Sequence, residues 1–425
     1  MPEKRFKFLL ISILTVVFLV VISRPIVFWK DSYGYLTMEV YRSAGYPIFL
    51  SLLKCISVKH LDLLTVISQI GIGLTVIYSF ITRLKKHIIM HPVWFLFLTL
   101  IIATPFVYNH KLANNYLSEA LTYSLYLLVT LFFLESLLTE KTKSLWISLP
   151  VLTVLVMFRT QFLFMLPVAF LIVLWLAFRK KTIKKYLPIT MGIVLLPFVT
   201  SLTDKTFHYV KHGYFVNTPW TGIPLSTPAY YVSDAEDYLL YDDPVEQQFF
   251  KAVHARLAEQ HLNIHHLPDV PEHDECSYYI LHFPEISNGT LHEYGRELLG
   301  ENLSEAEQFI ALDTLTKKMV LPLVLDNFKL WLKVYIKNIV NGFGNSKYLL
   351  LYAILLSFGL YGKVKKPSPV YKTISLLLIL TFGNLALVSL GMHTIKRFTF
   401  YNDWVVFMAV FMLMDAYFKQ NRLAT

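Results

Sequence analysis

The run Phe8 to Ile22 reads FLLISILTVVFLVVI and contains no charged side chain. Uncharged apolar runs approaching about 20 residues have the helix length that crosses a bilayer core of about 30 Å. The basic residues Lys4, Arg5 and Lys7 precede this run, and Ser23-Arg24-Pro25 follows it without a small-residue cleavage site. Because a secretory signal peptide needs such a site, the sequence predicts a retained signal anchor.

Comparable apolar runs recur along the 425 residues, of which 55% are hydrophobic. A soluble protein of this length needs a smaller fraction of hydrophobic residues to fill its core, whereas a membrane protein can expose the additional hydrophobic residues to lipid. Runs of this length satisfy their backbone hydrogen bonds in lipid as helices, so we expect an all-α polytopic membrane protein with about ten spans. The predicted spans are Phe8–Ile22, Leu61–Ile81, Val93–Val107, Tyr116–Leu138, Leu145–Phe158, Phe162–Phe178, Tyr186–Thr200, Tyr348–Tyr361, Tyr371–Leu390 and Trp404–Tyr417.

Short basic clusters separate these runs, at 83–86, 141–143, 179–185, 363–366 and 419–422. With ten spans the clusters all fall on the side of the N-terminus, as the positive-inside rule requires, so both termini are predicted to be cytoplasmic. The net charge of +10 is therefore interpreted as a topology signal, and no nucleic-acid partner is expected. Two cysteines, Cys55 and Cys276, are too few for a disulfide framework or a multi-cysteine zinc site.

The apolar stretch Met319 to Val340 does not fit this scheme, because an eleventh span would move the cluster at 363–366 to the outside. It carries Lys329, Lys333 and Lys337 at spacing i, i+4, i+8, with apolar and aromatic residues on the other face. This pattern is typical of an amphipathic helix in the membrane interface, which we place within 318–345. An ordinary span with snorkelling lysines is the alternative.

A long polar segment at 201–317, in which acidic residues outnumber basic ones, divides the apolar runs into two groups. We expect an acidic extracytoplasmic domain there, inserted between an N-terminal membrane module at 1–200 and C-terminal spans at 346–425. Two helices are predicted in it, at 245–259 after Asp243-Pro244, and at 304–319, where Ser304 and Glu307 have capping-box spacing. The remainder is rich in Pro, Tyr and His and is predicted to be loop.

The first loop carries one acidic residue near its start, Asp31 in WKDSYGY at 29–35. With the N-terminus inside, this loop faces outward, and the catalytic region is predicted at 23–60. A carboxylate there can accept a proton from an acceptor hydroxyl or amine, which is the role of a general base. A structural alternative is that Asp31 caps a short helix while the neighbouring tyrosines form an interfacial belt.

Three short motifs stand in an order that resembles a known superfamily. They are Asp31-Ser32-Tyr33-Gly34-Tyr35, Arg42-Ser43-Ala44-Gly45-Tyr46-Pro47 and Ser118-Glu119-Ala120-Leu121. Together they are similar to the GT-C superfamily of integral membrane glycosyltransferases, most of all to the bacterial branch that resembles protein mannosyltransferases and the aminoarabinose transferase of lipid A. The similarity covers residues 1 to about 200 and, more weakly, the last spans, but it places no motif in 201–317.

The resemblance implies a GT-C-like bundle in a bacterial cytoplasmic (inner) membrane, with its active site facing outside. Such an enzyme moves a hexose or pentose from a polyprenyl-phosphate donor to a lipid, glycan or protein acceptor. The acidic residue of the first outside loop is the catalytic base in this superfamily, and Asp31 matches it. Tyr33, Tyr35 and Tyr46 lie in the matching motifs and are assigned to substrate binding.

Glu119 lies about one turn inside the outer end of the fourth predicted span, where a carboxylate is costly unless it is paired or hydrated. We assign it a catalytic role, in orienting the acceptor or in helping to hold a metal. The alternative is a structural pairing with a nearby lysine or arginine. Other GT-C members bind a divalent cation through paired acids. The resemblance therefore leaves binding of Mg²⁺ or Mn²⁺ by Asp31 and Glu119 as an open alternative.

The basic residues that fall on the predicted outer side, where the positive-inside rule makes them less expected, include Arg42, Arg159, Lys396 and Arg397. An arginine suits a phosphate because its planar guanidinium donates two hydrogen bonds to phosphate oxygens and stays charged. These four residues are therefore assigned to the donor phosphate, with contact to lipid headgroups as the alternative.

The leading prediction is an inverting glycosyltransferase with Asp31 as general base. A transporter or flippase of lipid-linked saccharide would use the same arginines, although transporters commonly have internal repeats and broken helices, which the sequence does not clearly show. A polymerase or ligase of cell-surface polysaccharide would share the donor chemistry but would join whole glycans.

Overall fold

A computed structural model describes residues 1–108, 111–268, 274–300, 302–365 and 368–424. Lys366, which belongs to the basic cluster at 363–366, lies outside these ranges. The described chain is 82% helical and contains no strand, which confirms the predicted all-α class.

The helices of the first half are α1 (Glu3–Ile22), α2 (Lys30–Leu36), α3 (Gly45–Ile56), α4 (Leu61–His87), α5 (Pro92–Val107), α6 (Glu119–Thr139), α7 (Lys143–Phe158), α8 (Met165–Lys180) and α9 (Ile183–His212). Those of the second half are α10 (Gly222–Val232), α11 (Pro244–Glu259), α12 (Glu275–Leu281), α13 (Gly295–Leu298), α14 (Glu305–Asp326), α15 (Phe328–Gly342), α16 (Ser346–Lys365), α17 (Pro369–Ser389), α18 (Lys396–Thr399) and α19 (Asp403–Ala424). Short 3-10 turns lie at Leu112–Asn114, Thr160–Phe164, Ala235–Leu240, Ile264–His266 and Phe400–Asn402, and a π-helix at Glu285–Tyr294.

Each predicted span coincides with one of these helices, and within the described ranges eight helices are long and apolar enough to cross a membrane. They are α1, α4, α5, α6, α8, α9, α17 and α19, some with adjoining turns. The predicted span at 145–158 is α7, which at 16 residues is shorter. The one at 348–361 is α16, which qualifies only together with α15, from which it is bent by 80°, and this pair would raise the count to nine. These helices indicate a multi-pass membrane protein.

Helix α6 lies at the centre of the bundle, with 83% of its most apolar stretch buried. It packs against α4, α7, α8 and α17. Its sequence has neither proline nor glycine, and the hydroxyls of Thr122 and Ser124 donate to the backbone carbonyls of Glu119 and Ala120. Since α6 has 21 residues, its ends are about 30 Å apart. We call them the Glu119 end and the Glu140 end.

The apolar stretch at 319–340 is not one continuous helix, because α14 ends at Asp326 and α15 begins at Phe328. Two of its lysines have acidic partners at the start of α12. Lys333 Nζ lies 2.7 Å from a Glu275 oxygen, and Lys337 Nζ lies 3.0 Å from an Asp274 oxygen. That α15 lies in the membrane interface stays a prediction.

The polar segment has its own core of aromatic and aliphatic side chains, among them Tyr230, Phe250, Tyr279 and Leu312. Its predicted helices are confirmed. Helix α11 begins after the N-cap Asp243, and Ser304 and Glu307 form a capping box at the start of α14.

The prediction of loop for the rest of the segment is wrong, because α10, α12 and the π-helix lie there. These elements have 11, 7 and 10 residues, too few to show a sustained apolar period in the sequence. In addition, α9 continues through the predicted boundary at 201 to His212.

Candidate functional site

Two acids and three arginines from distant parts of the chain meet at the Glu119 end. They are Asp31 in α2, Arg42 between α2 and α3, Glu119 at the first position of α6, Arg159 just after α7, and Arg397 in α18. We call these five side chains the ion-pair network. All five are among the site residues predicted from the sequence. Asp31 and Arg397 are 366 positions apart in the sequence, and the tertiary fold brings them into contact.

Arg397 joins the two acids. Its Nη1 donates to Asp31 Oδ2 at 2.6 Å, and its Nε donates to Glu119 Oε1 at 2.5 Å. The planar guanidinium can serve two carboxylates at once because its donors point in fixed, diverging directions. The Arg397 side chain thereby holds Asp31, the predicted base, close to Glu119 at the start of α6.

Each acid also has an arginine of its own. Arg42 Nη2 donates to Asp31 Oδ1 at 2.7 Å, while the Arg42 guanidinium packs over the Tyr35 ring at 4.6 Å from its centre. Arg159 Nη1 lies 2.9 Å from Glu119 Oε1. Three guanidinium groups and two carboxylates give the network a formal charge of +1, so it retains attraction for an anion.

The network is closed at one side and open at the other. Glu119 is 2% exposed, and its Oε2 has no hydrogen-bond partner within the described chain. By contrast, the side chains of Asp31 and Arg397 are 31% and 34% exposed. A solute can therefore reach Asp31 and Arg397 first, with the spare oxygen of Glu119 behind them.

Asp31 is ionised at neutral pH. Burial opposes its ionisation, but the charges of Arg42 and Arg397 and their hydrogen bonds outweigh burial and lower the pKa of its carboxyl to about 2. A carboxylate held in this way is a weak proton acceptor. An anion that draws Arg397 away from Asp31 would raise this pKa and make the carboxylate a stronger base.

Two amides brace the turn that carries Arg397. Gln161 Nε2 donates to Asn384 Oδ1 at 2.7 Å and to the Phe398 carbonyl at 2.8 Å, and Asn384 Nδ2 donates to the same carbonyl at 3.2 Å. Sequence reasoning missed both amides. Asn384 did carry a signal, because a polar residue inside an apolar span needs a partner within the bundle.

The three predicted tyrosines occupy different surroundings. Tyr35 is buried beneath Arg42, and its ring meets that of Tyr46 edge to face at 5.0 Å between centres. Tyr46 is fully buried, and its hydroxyl donates to Gln69 at 3.1 Å. Tyr33 is exposed. Tyr35 and Tyr46 thus support the network by packing, and substrate contacts by the three tyrosines stay a prediction.

Lys396 is not in the network, although it precedes Arg397 directly. Its exposed ammonium lies 3.2 Å from Asp403 instead. Neighbouring residues in the short helix α18 point in different directions, which separates the two cations. Binding of a donor phosphate by Lys396 stays a prediction.

The acidic segment reaches the network through an aromatic cluster that sequence reasoning also missed. The Tyr41 ring stacks on Phe309 at 4.7 Å and lies 5.8 Å from the Trp220 ring, while the Arg42 guanidinium lies 4.8 Å from the Tyr41 ring centre. Residues of the acidic segment therefore help to fix Arg42, which binds Asp31.

The donor set does not fit a divalent cation. Asp31 Oδ1, Asp31 Oδ2 and Glu119 Oε1 each face a guanidinium. No group of three or more His, Cys, Asp and Glu side chains that could hold a metal ion occurs in the described parts of the chain. Mg²⁺ prefers several oxygen ligands around it, whereas here Arg397 occupies the position between the acids.

Gly34 leaves room for the Arg42 side chain. A Cβ there would lie 2.8 Å from Arg42 Nε and 2.8 Å from the Tyr41 hydroxyl oxygen. Gly34→Ala is therefore expected to displace Arg42 and lower the free energy of unfolding by about 1–3 kcal/mol, as overpacking does. Thermal unfolding of the purified protein in one detergent measures the change.

Gly71→Ala is the matched control, because a Cβ at this helical position meets no atom within 4 Å. It is expected to leave stability unchanged or to raise it by about 0.5–1 kcal/mol, since alanine has the better helix propensity. Equal melting temperatures for the two variants would show that Arg42 tolerates the added methyl group.

Comparisons with protein-family models, with curated proteins and with solved structures found no match to this chain.

Proposed function

We propose that this protein is a membrane glycosyltransferase that moves a sugar from a polyprenyl-phosphate donor to an acceptor, with inversion at the anomeric carbon. The observation that carries the proposal is the ion-pair network. It joins Asp31, the acid that matches the GT-C base, to Arg42 and Arg397 and, through Glu119, to Arg159. The network has one excess positive charge and lies at one end of a membrane bundle. An acid beside a phosphate-binding site is what transfer from a phosphate-linked sugar requires.

In this mechanism the acceptor oxygen or nitrogen attacks the anomeric carbon while the bond from that carbon to the phosphate oxygen breaks. The electron pair of the broken bond leaves on the polyprenyl phosphate, and Arg397 and Arg159 stabilise the charge that develops there. The acceptor proton passes to Asp31. A single displacement of this kind gives inversion.

The low pKa of Asp31, about 2 before donor binding, fits a base that is activated by its substrate. The phosphate of the donor competes with Asp31 for Arg397, whose side chain is 34% exposed. Once Arg397 turns toward the phosphate, Asp31 loses one of its two cations and its pKa rises. The base then becomes effective only when a donor is present.

Glu119 acts as a positioning and binding residue in this proposal. Its Oε1 holds Arg159 and Arg397 at 2.9 and 2.5 Å, which orients both guanidinium groups. Its buried Oε2, which has no hydrogen-bond partner in the described chain, is available to accept a hydrogen bond from a sugar hydroxyl. Such a contact would favour sugars with a hydroxyl at the matching position.

The proposed setting is a bacterial cytoplasmic membrane, with the Glu119 end and the acidic segment outside and both termini inside. With α7 and α16 counted as spans, the distribution of basic clusters supports this orientation. The aromatic contact between Tyr41 and Phe309 supports a role of the acidic segment in acceptor choice, because it borders the network.

Incubation of the purified protein with labelled polyprenyl-phosphate sugars and candidate acceptors tests the proposal. Transfer predicts a covalent product together with free polyprenyl phosphate in equal amount. If the protein in liposomes instead moves the lipid-linked sugar across the bilayer without any such product, it is a transporter.

Arg42→Gln is expected to move the acidic limb of the pH profile of kcat, measured at saturating donor, to higher pH. The folded-state pKa of Asp31 is depressed by Arg42 and Arg397, so removal of one cation raises it and the carboxylate is lost at a higher pH. Initial transfer rates from about pH 3 to pH 8 at constant ionic strength measure the shift.

Arg256→Gln serves as the control for this shift, because Arg256 pairs with Glu259 at 3.1 Å in the acidic segment, away from Asp31. It should leave the acidic limb in place. An unmoved limb in Arg42→Gln would argue that a group other than Asp31 accepts the proton.

A further inference from the structure

At the Glu140 end, about 30 Å along α6 from the ion-pair network, three cations surround one carboxylate. Glu140 Oε1 lies 2.9 Å from Arg179 Nε and 3.0 Å from Lys372 Nζ, and Glu140 Oε2 lies 3.0 Å from Lys180 Nζ. We call these four residues the Glu140 cluster. Its formal charge is +2, so one carboxylate leaves most of the positive charge without compensation.

The cluster has a fixed inner part and an accessible outer part. Lys372 is buried at the start of α17, whereas Arg179 and Lys180 are about half exposed at the end of α8. A buried ammonium group is costly unless anions surround it. The outer pair can bind an anion from the surroundings while Glu140 and Lys372 hold the helix ends together.

An apolar groove between α6, α8 and α17 leads up to this cluster. It is lined by Leu137, Val168, Ile172, Trp175, Leu376 and Ile379. Its lining also includes Leu171, a half-exposed residue, so the groove opens to the outside of the bundle.

Trp175 connects the groove to the cations. Its ring centre lies 4.7 Å from Lys372 Nζ and 5.6 Å from Arg179 Cζ. Tryptophan is enriched at the level of lipid headgroups, where one side of its ring is apolar and the other is wet. The boundary between groove and cluster therefore has the chemistry of a lipid headgroup region.

We propose that the groove and the Glu140 cluster together bind one anionic phospholipid, with its phosphate on Arg179 and Lys180 and a short segment of one acyl chain in the groove. Charge complementarity selects an anionic lipid, because a zwitterionic headgroup would bring another cation to a cluster that is already positive. The apolar groove selects a lipid over a free phosphate. This site is separate from the proposed transferase activity, which uses the other end of α6.

Lipid binding to the full-length protein in non-ionic detergent tests the site, with phosphatidylglycerol and phosphatidylcholine of identical acyl chains as probes in native mass spectrometry. The wild-type protein is expected to retain phosphatidylglycerol preferentially. The double variant Arg179→Gln, Lys180→Gln is expected to bind it roughly 30-fold more weakly, because two headgroup cations are lost. Glu140 keeps Lys372 in this variant, so the fold should persist, and thermal unfolding without added lipid checks this.

Lys184→Gln with Lys185→Gln is the matched control, because it removes the same charge from exposed positions of α9 that take no part in the cluster. It should retain phosphatidylglycerol like the wild type. Equal binding of the two lipids, or an equal loss in both double variants, would overturn the proposal. So would competition by glycerol phosphate as strong as that by phosphatidylglycerol, since the groove would then contribute nothing.

Discussion

Asp31→Asn is expected to lower transfer from a polyprenyl-phosphate sugar by about 10²- to 10⁴-fold, the usual contribution of a general base. The amide has the size of the carboxylate but does not accept a proton at neutral pH. The amide has a single acceptor oxygen, so one of the two guanidinium contacts of Asp31 is lost. Arg397 still holds Glu119 at 2.5 Å and Arg42 still packs over Tyr35, and these contacts should keep both arginines in place. Initial rates at saturating donor measure the loss, and unchanged donor affinity would separate it from a binding defect.

Asp415→Asn is a suitable control for this variant. Asp415 also accepts from two donors, Lys419 Nζ at 2.6 Å and the backbone N–H of His91 at 2.9 Å, but it lies in α19 away from the network. The Asp415→Asn variant should have a lower free energy of unfolding and an unchanged rate of sugar transfer. Near wild-type transfer by a folded Asp31→Asn protein would exclude Asp31 as the base.

The positions of the helices could be predicted from the sequence, because long uncharged runs have few alternatives in lipid. The number of spans could not. Helix α7 has only 16 residues, and α16 is joined to α15 by a bend of 80°, so its status depends on packing rather than on composition.

The members of the candidate site could be predicted individually, because Arg159 and Arg397 violate the positive-inside rule and Glu119 is an acid in an apolar span. Pairing of Glu119 with a basic residue was one of the predicted alternatives, and Arg159 and Arg397 do pair with it. Which residues pair could not be predicted, since ion pairs across hundreds of positions depend on which helix ends meet. The braces Gln161 and Asn384 were missed for the same reason.

Arg397→Gln is expected to affect both stability and transfer, because two acids lose the cation they share. Loss of one partner of a buried ion pair costs about 3–5 kcal/mol. The lower end applies here, since Arg159 still faces Glu119 and a third of Arg397 is exposed. Transfer should fall by about 10²- to 10³-fold, as for other groups that stabilise a developing anion. Arg397→Lys keeps the charge but not the fork, so it should recover stability better than transfer.

Arg83→Gln distinguishes catalysis from stability in this experiment. Arg83 in α4 donates two hydrogen bonds, at 2.7 and 2.5 Å, to Glu135, which lies in α6 as Glu119 does. The Arg83 side chain is 36% exposed, compared with 34% for the Arg397 side chain. The two variants should therefore lose similar stability, measured by thermal unfolding in one detergent, while only Arg397→Gln loses transfer. If both lose transfer in proportion to their unfolding, Arg397 serves only to hold α18 against α6. A selective loss in Arg397→Gln would show that transfer depends on the Arg397 guanidinium itself and not only on the stability that it provides.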